Sequence, residues 1–300
     1  MIQPGTRFAR ILNPCIATLL ALFAVPAPSA DSNQHVFWEV AGKHNTVYLL
    51  GSVHLLHAND RALPPVTESA FLDAEVLVEE LDIYAMMGAM SEPAVLKLQF
   101  LPQPQTLAEV LGINLHKRLG TVAGPLGIDM DYISRMQPWY VATLVSSTRL
   151  ARAGYDSRDG VDYQLAERAH RDNKPIEGLE TAAQQMAFFA SMSMAEQRKF
   201  LAASLDEDDS AAEMREITDA WRRGDLAALE AQLRSGMEES PELFQQIVVQ
   251  RSRNWLPRIE QMLAEGTDKD YLVVTGALHM IGQQGLVELL RARGYRITRR

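Results

Sequence analysis

The chain of 300 residues has a single cysteine, Cys15, which lies in an apolar run near the N-terminus and lacks the small residues expected just before a lipid-modified cysteine. Without that run the protein has no thiol, so disulfides and thiol catalysis are excluded. Four further templates are missing: His-Glu-x-x-His, Gly-x-Ser-x-Gly, the phosphate loop and Gly-x-Gly-x-x-Gly. Their absence leaves no helix-borne zinc site, nucleophile elbow or nucleotide-binding turn to build on. Basic side chains are also scarce. The 29 lysines and arginines, less Arg7 and Arg10 of the leader, leave 27 against 38 acidic residues, a net charge of −11. Nucleic acid is a poor partner for such a surface. No low-complexity stretch or proline-rich linker divides the chain.

What is present begins with a leader: Arg7 and Arg10, the apolar run Ile11 to Val25, then Pro26-Ala27-Pro28-Ser29-Ala30. This is the pattern of a cleavable signal peptide over residues 1–30, cut after Ala30 or Ala27, and it predicts a periplasmic or secreted protein starting near Asp31. Asn13 and Pro14 interrupt the run and leave it short of the roughly 20 apolar residues that span a bilayer, so no permanent membrane span is expected after cleavage. Residues 31–300 read as one domain of ordinary globular composition, 47% hydrophobic and 22% charged.

Periodicity predicts strands at Val36–Val40 and Thr46–Leu50 joined in a hairpin, a helix from Pro64, and a buried strand Val76–Leu81. Strand, helix and strand suggest a parallel unit, with the third segment beside Thr46–Leu50. Roughly 83–250 read as a large helical insertion, with capping boxes at Thr106/Glu109 and Ser193/Glu196 and one strand over Lys174–Glu180. The end returns to strand Tyr271–Thr275, a helix over Gly285–Arg293 and a strand Tyr295–Thr298. The fold class is therefore α/β, a mixed sheet interrupted by the helical insertion.

The sheet segments carry an internal repeat. Val47-Tyr48-Leu49-Leu50-Gly51-Ser52-Val53-His54 and Leu272-Val273-Val274-Thr275-Gly276-Ala277-Leu278-His279 are both an apolar strand followed by Gly-x-x-His. With 18 glycines and 7 histidines in 300 residues, chance gives about 0.4 such pairs. Two, both behind strands, point to paired use. Each histidine falls past the carboxyl end of its strand, where α/β sheets hold ligands.

Two imidazoles suit a divalent cation, and a catalytic site normally adds a carboxylate and keeps an open position. Glu79 and Glu80 end the buried strand on opposite faces, so only one can look into the site, and a solvated pair is the alternative for both. His57 could pair with His54 on a helical turn, although the second copy has Gly282 in its place.

These residues resemble the TraB/PrgY/GumN family, in particular its bacterial GumN-like branch, with the Tiki metalloproteases as distant relatives. The resemblance rests on Leu50–Leu56, Val78–Asp82, Asp159-Gly160-Val161-Asp162, Gly178-Leu179-Glu180-Thr181, Ala220–Asp225 and Gly276–Leu286. It implies a mixed-sheet α/β core and a divalent metal (zinc, manganese or cobalt) held by His54, His279 and one glutamate, which falls on Glu80. The family's Arg-Asn pair before an aromatic falls on Arg251-Ser252 ahead of Trp255, while the nearest Arg-Asn here is Arg253-Asn254. Secondary site residues are therefore Arg251, Asn254, Glu180 and Asp162, the last two with capping or an internal salt bridge as alternatives. The implied function is a metal-dependent hydrolase acting on a peptide or protein, with His54, Glu80 and His279 as the catalytic centre. The alternative is a non-catalytic envelope protein that sequesters a peptide or pheromone. A structural role in envelope or polysaccharide assembly rests on the name of the branch alone.

Overall fold

The expected hairpin forms from β1 (Phe37–Ala41) and β2 (Thr46–Ser52), antiparallel with Phe37 opposite Leu50 and Ala41 opposite Thr46. The computed structural model describes residues 34–89, 91–206, 210–239, 241–264 and 268–300, so the signal-peptide expectation lies outside the described residues. The later strands are β3 (Leu56–His57), β4 (Val76–Glu79), β5 (Tyr155–Asp156), β6 (Ile176–Gly178), β7 (Tyr271–Gly276) and β8 (Ile297–Arg299). Strands β3 and β5 form a small separate pair, and the other six make one mixed sheet in the order β6-β4-β7-β2-β1-β8.

This order corrects one expectation. Strand β4 follows β2 through the helix Pro65–Asp73 but does not lie beside it, because β7 sits between them and pairs in parallel with both. The reason is burial. Leu272, Val273 and Val274 are apolar without interruption and fully buried, as a strand covered on both faces and paired on both edges requires. The strand farthest along the chain thus takes the central place, which alternation cannot foresee.

The helical insertion is not one block. The helices Leu107–Leu126, Pro138–Arg152 and Met194–Asp206 bury Leu111, Leu119, Val141, Val145 and Leu201 in a core of their own. Between them, helix Val161–Arg171 packs Val161, Leu165 and Ala169 into the sheet core, and β6 joins the sheet edge. Both expected capping boxes form, at Thr106/Glu109 and Ser193/Glu196, and a third at Thr181/Gln184 starts the helix after β6. Strand β8 begins two residues later than expected, where Ile297 to Arg299 can pair with β1. Among the described residues, no helix is long and apolar enough to cross a membrane.

Candidate metal centre

Strands β2 and β7 run parallel with Ser52 level with Gly276, so the two Gly-x-x-His turns leave neighbouring strands at the same height. Although 225 positions separate the histidines in the sequence, they meet around one oxygen. Glu80, just past β4, places Oε1 3.7 Å from His54 Nε2 and 3.8 Å from His279 Nε2. The same oxygen accepts a 2.7 Å hydrogen bond from Gly276 N. A Cβ on Gly276 would lie 3.1 Å from His54 Nε2 and 3.4 Å from Glu80 Oε1. Glycine there keeps the meeting point open.

His54 is held by the Asp159–Asp162 motif. A Cβ on Gly160 would stand 2.2 Å from the His54 carbonyl oxygen, so only glycine lets the two segments approach this closely. Val161 N then donates to Val53 O at 3.1 Å. Asp162 follows with Oδ2 2.8 Å from His54 Nδ1 and Oδ1 accepting from Ser52 Oγ at 2.7 Å. The Asp162 carboxylate raises the His54 pKa against the opposing effect of burial, to about 10. The ring is 55% exposed, and water on its open side screens the pair.

His279 is set differently, with only 6% of its surface exposed. Its Nδ1 lies 3.0 Å from Ser252 Oγ, its ring centroid 4.6 Å from that of Trp255, and its Nε2 3.3 Å from Arg251 Nη1. Burial pushes its pKa down to about 4, so it is neutral at pH 7.

Arg251 ties the centre together. Its Nη2 donates to Glu80 Oε2 at 2.5 Å and to Glu180 Oε1 at 2.6 Å, and its Nε donates to Glu180 Oε1 at 3.0 Å. Its guanidinium lies 4.7 Å over the Trp255 ring, whose Nε1 donates to Glu180 Oε2 at 3.2 Å. Burial alone would raise the Glu80 pKa, but His279, His54, Arg251 and the Gly276 N–H outweigh it and hold the group at about 2. With His279 neutral, His54 and Arg251 carry that field at pH 7. Glu180, pushed up by burial against Arg251, responds in the opposite direction.

The structure therefore brings together His54, Glu80, His279, Asp162, Glu180 and Arg251. Asn254 is outside: it is exposed and its Oδ1 accepts from Gln250 at 2.8 Å. Ser252, fully buried against His279, stands where the family's asparagine was expected. His57 is also outside, its ring 6.1 Å from Tyr155. Glu79 is not the solvated residue that the alternative required. It is 1% exposed and, among the described residues, neither carboxylate oxygen has a hydrogen-bond partner; burial raises its pKa to about 9.

Three contributors escaped the sequence reading. Ser52 lies inside the first Gly-x-x-His phrase and Trp255 is the aromatic that follows Arg251 by one helical turn, but neither was given a role. Trp221 sat in a recognised motif without a role, and its Nε1 donates to Gly51 O at 2.6 Å, fixing the first turn.

Two imidazole nitrogens and a carboxylate form a donor set for a divalent ion, with a carboxylate behind one histidine as is usual in metal sites. The separations of 3.7 and 3.8 Å exceed by a few tenths of an ångström the roughly 3.4 Å edge of a tetrahedral shell with bonds of about 2.1 Å. Among the described residues, no three His, Cys, Asp or Glu side chains stand at ligating distances already. The residues fit an ion by the chemistry of their donors and by the convergence of both Nε2 atoms on Glu80 Oε1.

The chain is similar to known proteins along most of its length. Uncharacterized protein YbaP of Escherichia coli (strain K12) is 24% identical over 249 residues, covering 81% of this chain and 87% of its own. Metalloprotease TIKI2 of Xenopus tropicalis is 23% identical across 90% of this chain and 61% of its own length. The Metalloprotease TIKI homolog of Amphimedon queenslandica is 23% identical across 95% of this chain and 68% of its own. No solved structure matches. The model of the TraB/PrgY/gumN family matches residues 36–299, from the first strand through the last and including every residue of the centre, and the chain belongs to that family.

Proposed function

We propose that the chain is a divalent-metal-dependent hydrolase acting on peptide bonds, and that it works in the periplasm or outside the cell after removal of its leader. The observation that carries this reading is the convergence of both Gly-x-x-His histidines on Glu80 Oε1. Relatives named as metalloproteases support the choice of reaction. His54, His279 and Glu80 would hold the ion, and their mixed nitrogen and oxygen donors suit zinc, manganese or cobalt. A bound ion supplies Lewis acidity toward the scissile carbonyl and lowers the pKa of water toward neutrality.

The remaining residues position and stabilise. Asp162 holds the His54 ring with Nε2 toward the centre. Glu180 takes up Nε and half of Nη2 of Arg251, leaving Nη1 with only long contacts, 3.3 Å to His279 Nε2 and 3.5 Å to Ile247 O. Held by these long contacts, that arm would turn from Nε2 to a substrate oxygen as the oxygen gains charge.

The test is metal analysis of purified mature protein beside the His54→Ala, His279→Ala double variant and Glu80→Gln, after dialysis against a weak chelator. The wild type should retain metal, the double variant none, and Glu80→Gln substantially less. Equal content in all three would end the metal reading. Arg251 already satisfies Glu80 without an ion, which favours a second reading, a peptide-sequestering protein. That reading predicts stoichiometric capture of peptide with no turnover.

A further inference from the structure

The hydrogen bonds around His279 fix its tautomer, and we infer that Ser252 is the positioning residue that locks this histidine with a proton on Nδ1 and a bare Nε2 facing the centre. Two contacts agree, a close one of 3.0 Å to Ser252 and a weaker one of 3.3 Å to Arg251. On one side of the ring, Ser252 Oγ donates its only proton to Val248 O at 2.8 Å, so at 3.0 Å from His279 Nδ1 it can only accept. Nδ1 must carry the hydrogen. On the other side, Arg251 Nη1 lies 3.3 Å from Nε2, and a guanidinium has donors only. Nε2 must be the acceptor. The opposite tautomer would set two N–H groups against each other beside Arg251, on a ring that is only 6% exposed.

The backbone makes this arrangement available. Gln245–Gln250 form a π-helix that runs directly into helix Arg251–Ala264, and π turns recur where helices serve a site. Val248 O, inside the π turn, accepts both Arg251 N–H and the Ser252 hydroxyl. The hydroxyl is thereby turned so that its lone pairs face His279. Ser252 is fully buried, so bulk water does not compete for its contacts.

The lock is the counterpart of Asp162 behind His54, but with a neutral holder. Asp162 is a carboxylate on a half-open ring, whereas Ser252 is a hydroxyl on a closed one. Both present Nε2 to the same carboxylate oxygen. The tautomer stands on hydrogen bonding alone, whereas its consequence for metal affinity rests on the hydrolase reading.

The experiment is a long-range 1H–15N spectrum of chelator-stripped, histidine-labelled protein at pH 7, assigned with His279→Gln, beside metal titrations of Ser252→Ala and Ser252→Thr. The wild-type His279 should show a protonated Nδ1 and a bare Nε2. Ser252→Ala should populate the other tautomer and lose about tenfold in metal affinity, and Ser252→Thr, which keeps the hydroxyl, should restore both. A wild-type His279 protonated on Nε2 overturns the lock, and so does a folded Ser252→Ala that matches the wild type in tautomer and affinity. If Ser252→Ala does not fold, the wild-type spectrum decides alone. A bare Nε2 with no metal uptake would sink the hydrolase reading and leave the lock standing.

Discussion

His54 and His279 close the same four-residue phrase on adjacent parallel strands, yet they live in opposite surroundings. His54 is half open to water, ion-paired to Asp162 and raised in pKa, while His279 is closed in by Trp255, Ser252 and Arg251 and lowered. The backbone repeat delivers two imidazoles to one place, and the helices packed over them decide their charge. Asp162 favours the protonated form of His54, and burial favours the neutral form of His279. A proton on His54 must leave before its Nε2 can bind a metal.

The sharpest way to break this contrast is to remove the cation on the buried side. Arg251→Met would leave Glu80 and Glu180 as buried carboxylates without their partner and should cost about 3–5 kcal/mol, read from urea denaturation. A loss below about 1 kcal/mol would mean that the buried half does not depend on paired charge. Next in size, His279→Ala should cost about 2 kcal/mol by leaving packed polar groups unmet, against less than about 1 kcal/mol for His54→Ala at the open surface. Equal losses would erase the distinction between the two environments.

The pH response should separate them in sign. His54 is raised in the fold, so its stabilisation is complete below its unfolded value near 6.5 and is lost as pH climbs through about 10. His279 is lowered, so its contribution is present above 6.5 and fades as pH falls toward about 4. In metal-free protein, His54→Gln should flatten the alkaline limb of the stability profile and His279→Gln the acid limb. Denaturation midpoints measured from pH 4 to 10 test this, and one shared limb would contradict it. The smallest effect belongs to Asn254→Ala, within about 0.5 kcal/mol and without change in metal content, since the side chain is exposed and accepts a hydrogen bond from Gln250.

Much of this centre was legible in advance because its chemistry lies in short, ordered motifs. The paired Gly-x-x-His phrases named His54 and His279, strand alternation separated Glu79 from Glu80, and the family resemblance chose between them. Asp162 and Glu180 were visible only as motif members, and the structure gives them their partners, His54 and Arg251. Asn254, two positions past Ser252 and so about 200° around the helix from it, lies exposed.

The sequence by itself determined the local facts: where strands and helices run, which turns need glycine, and that two imidazoles sit behind like strands. These follow from periodicity and backbone sterics, which act over a few residues. Only the tertiary structure decided that β7 threads between β2 and β4, that Val161–Arg171 returns to the sheet, and that Arg251 joins Glu80 to Glu180. Those outcomes depend on which buried surfaces fill one another and on which charges meet away from water. Segments hundreds of positions apart settle both, and no local pattern encodes them.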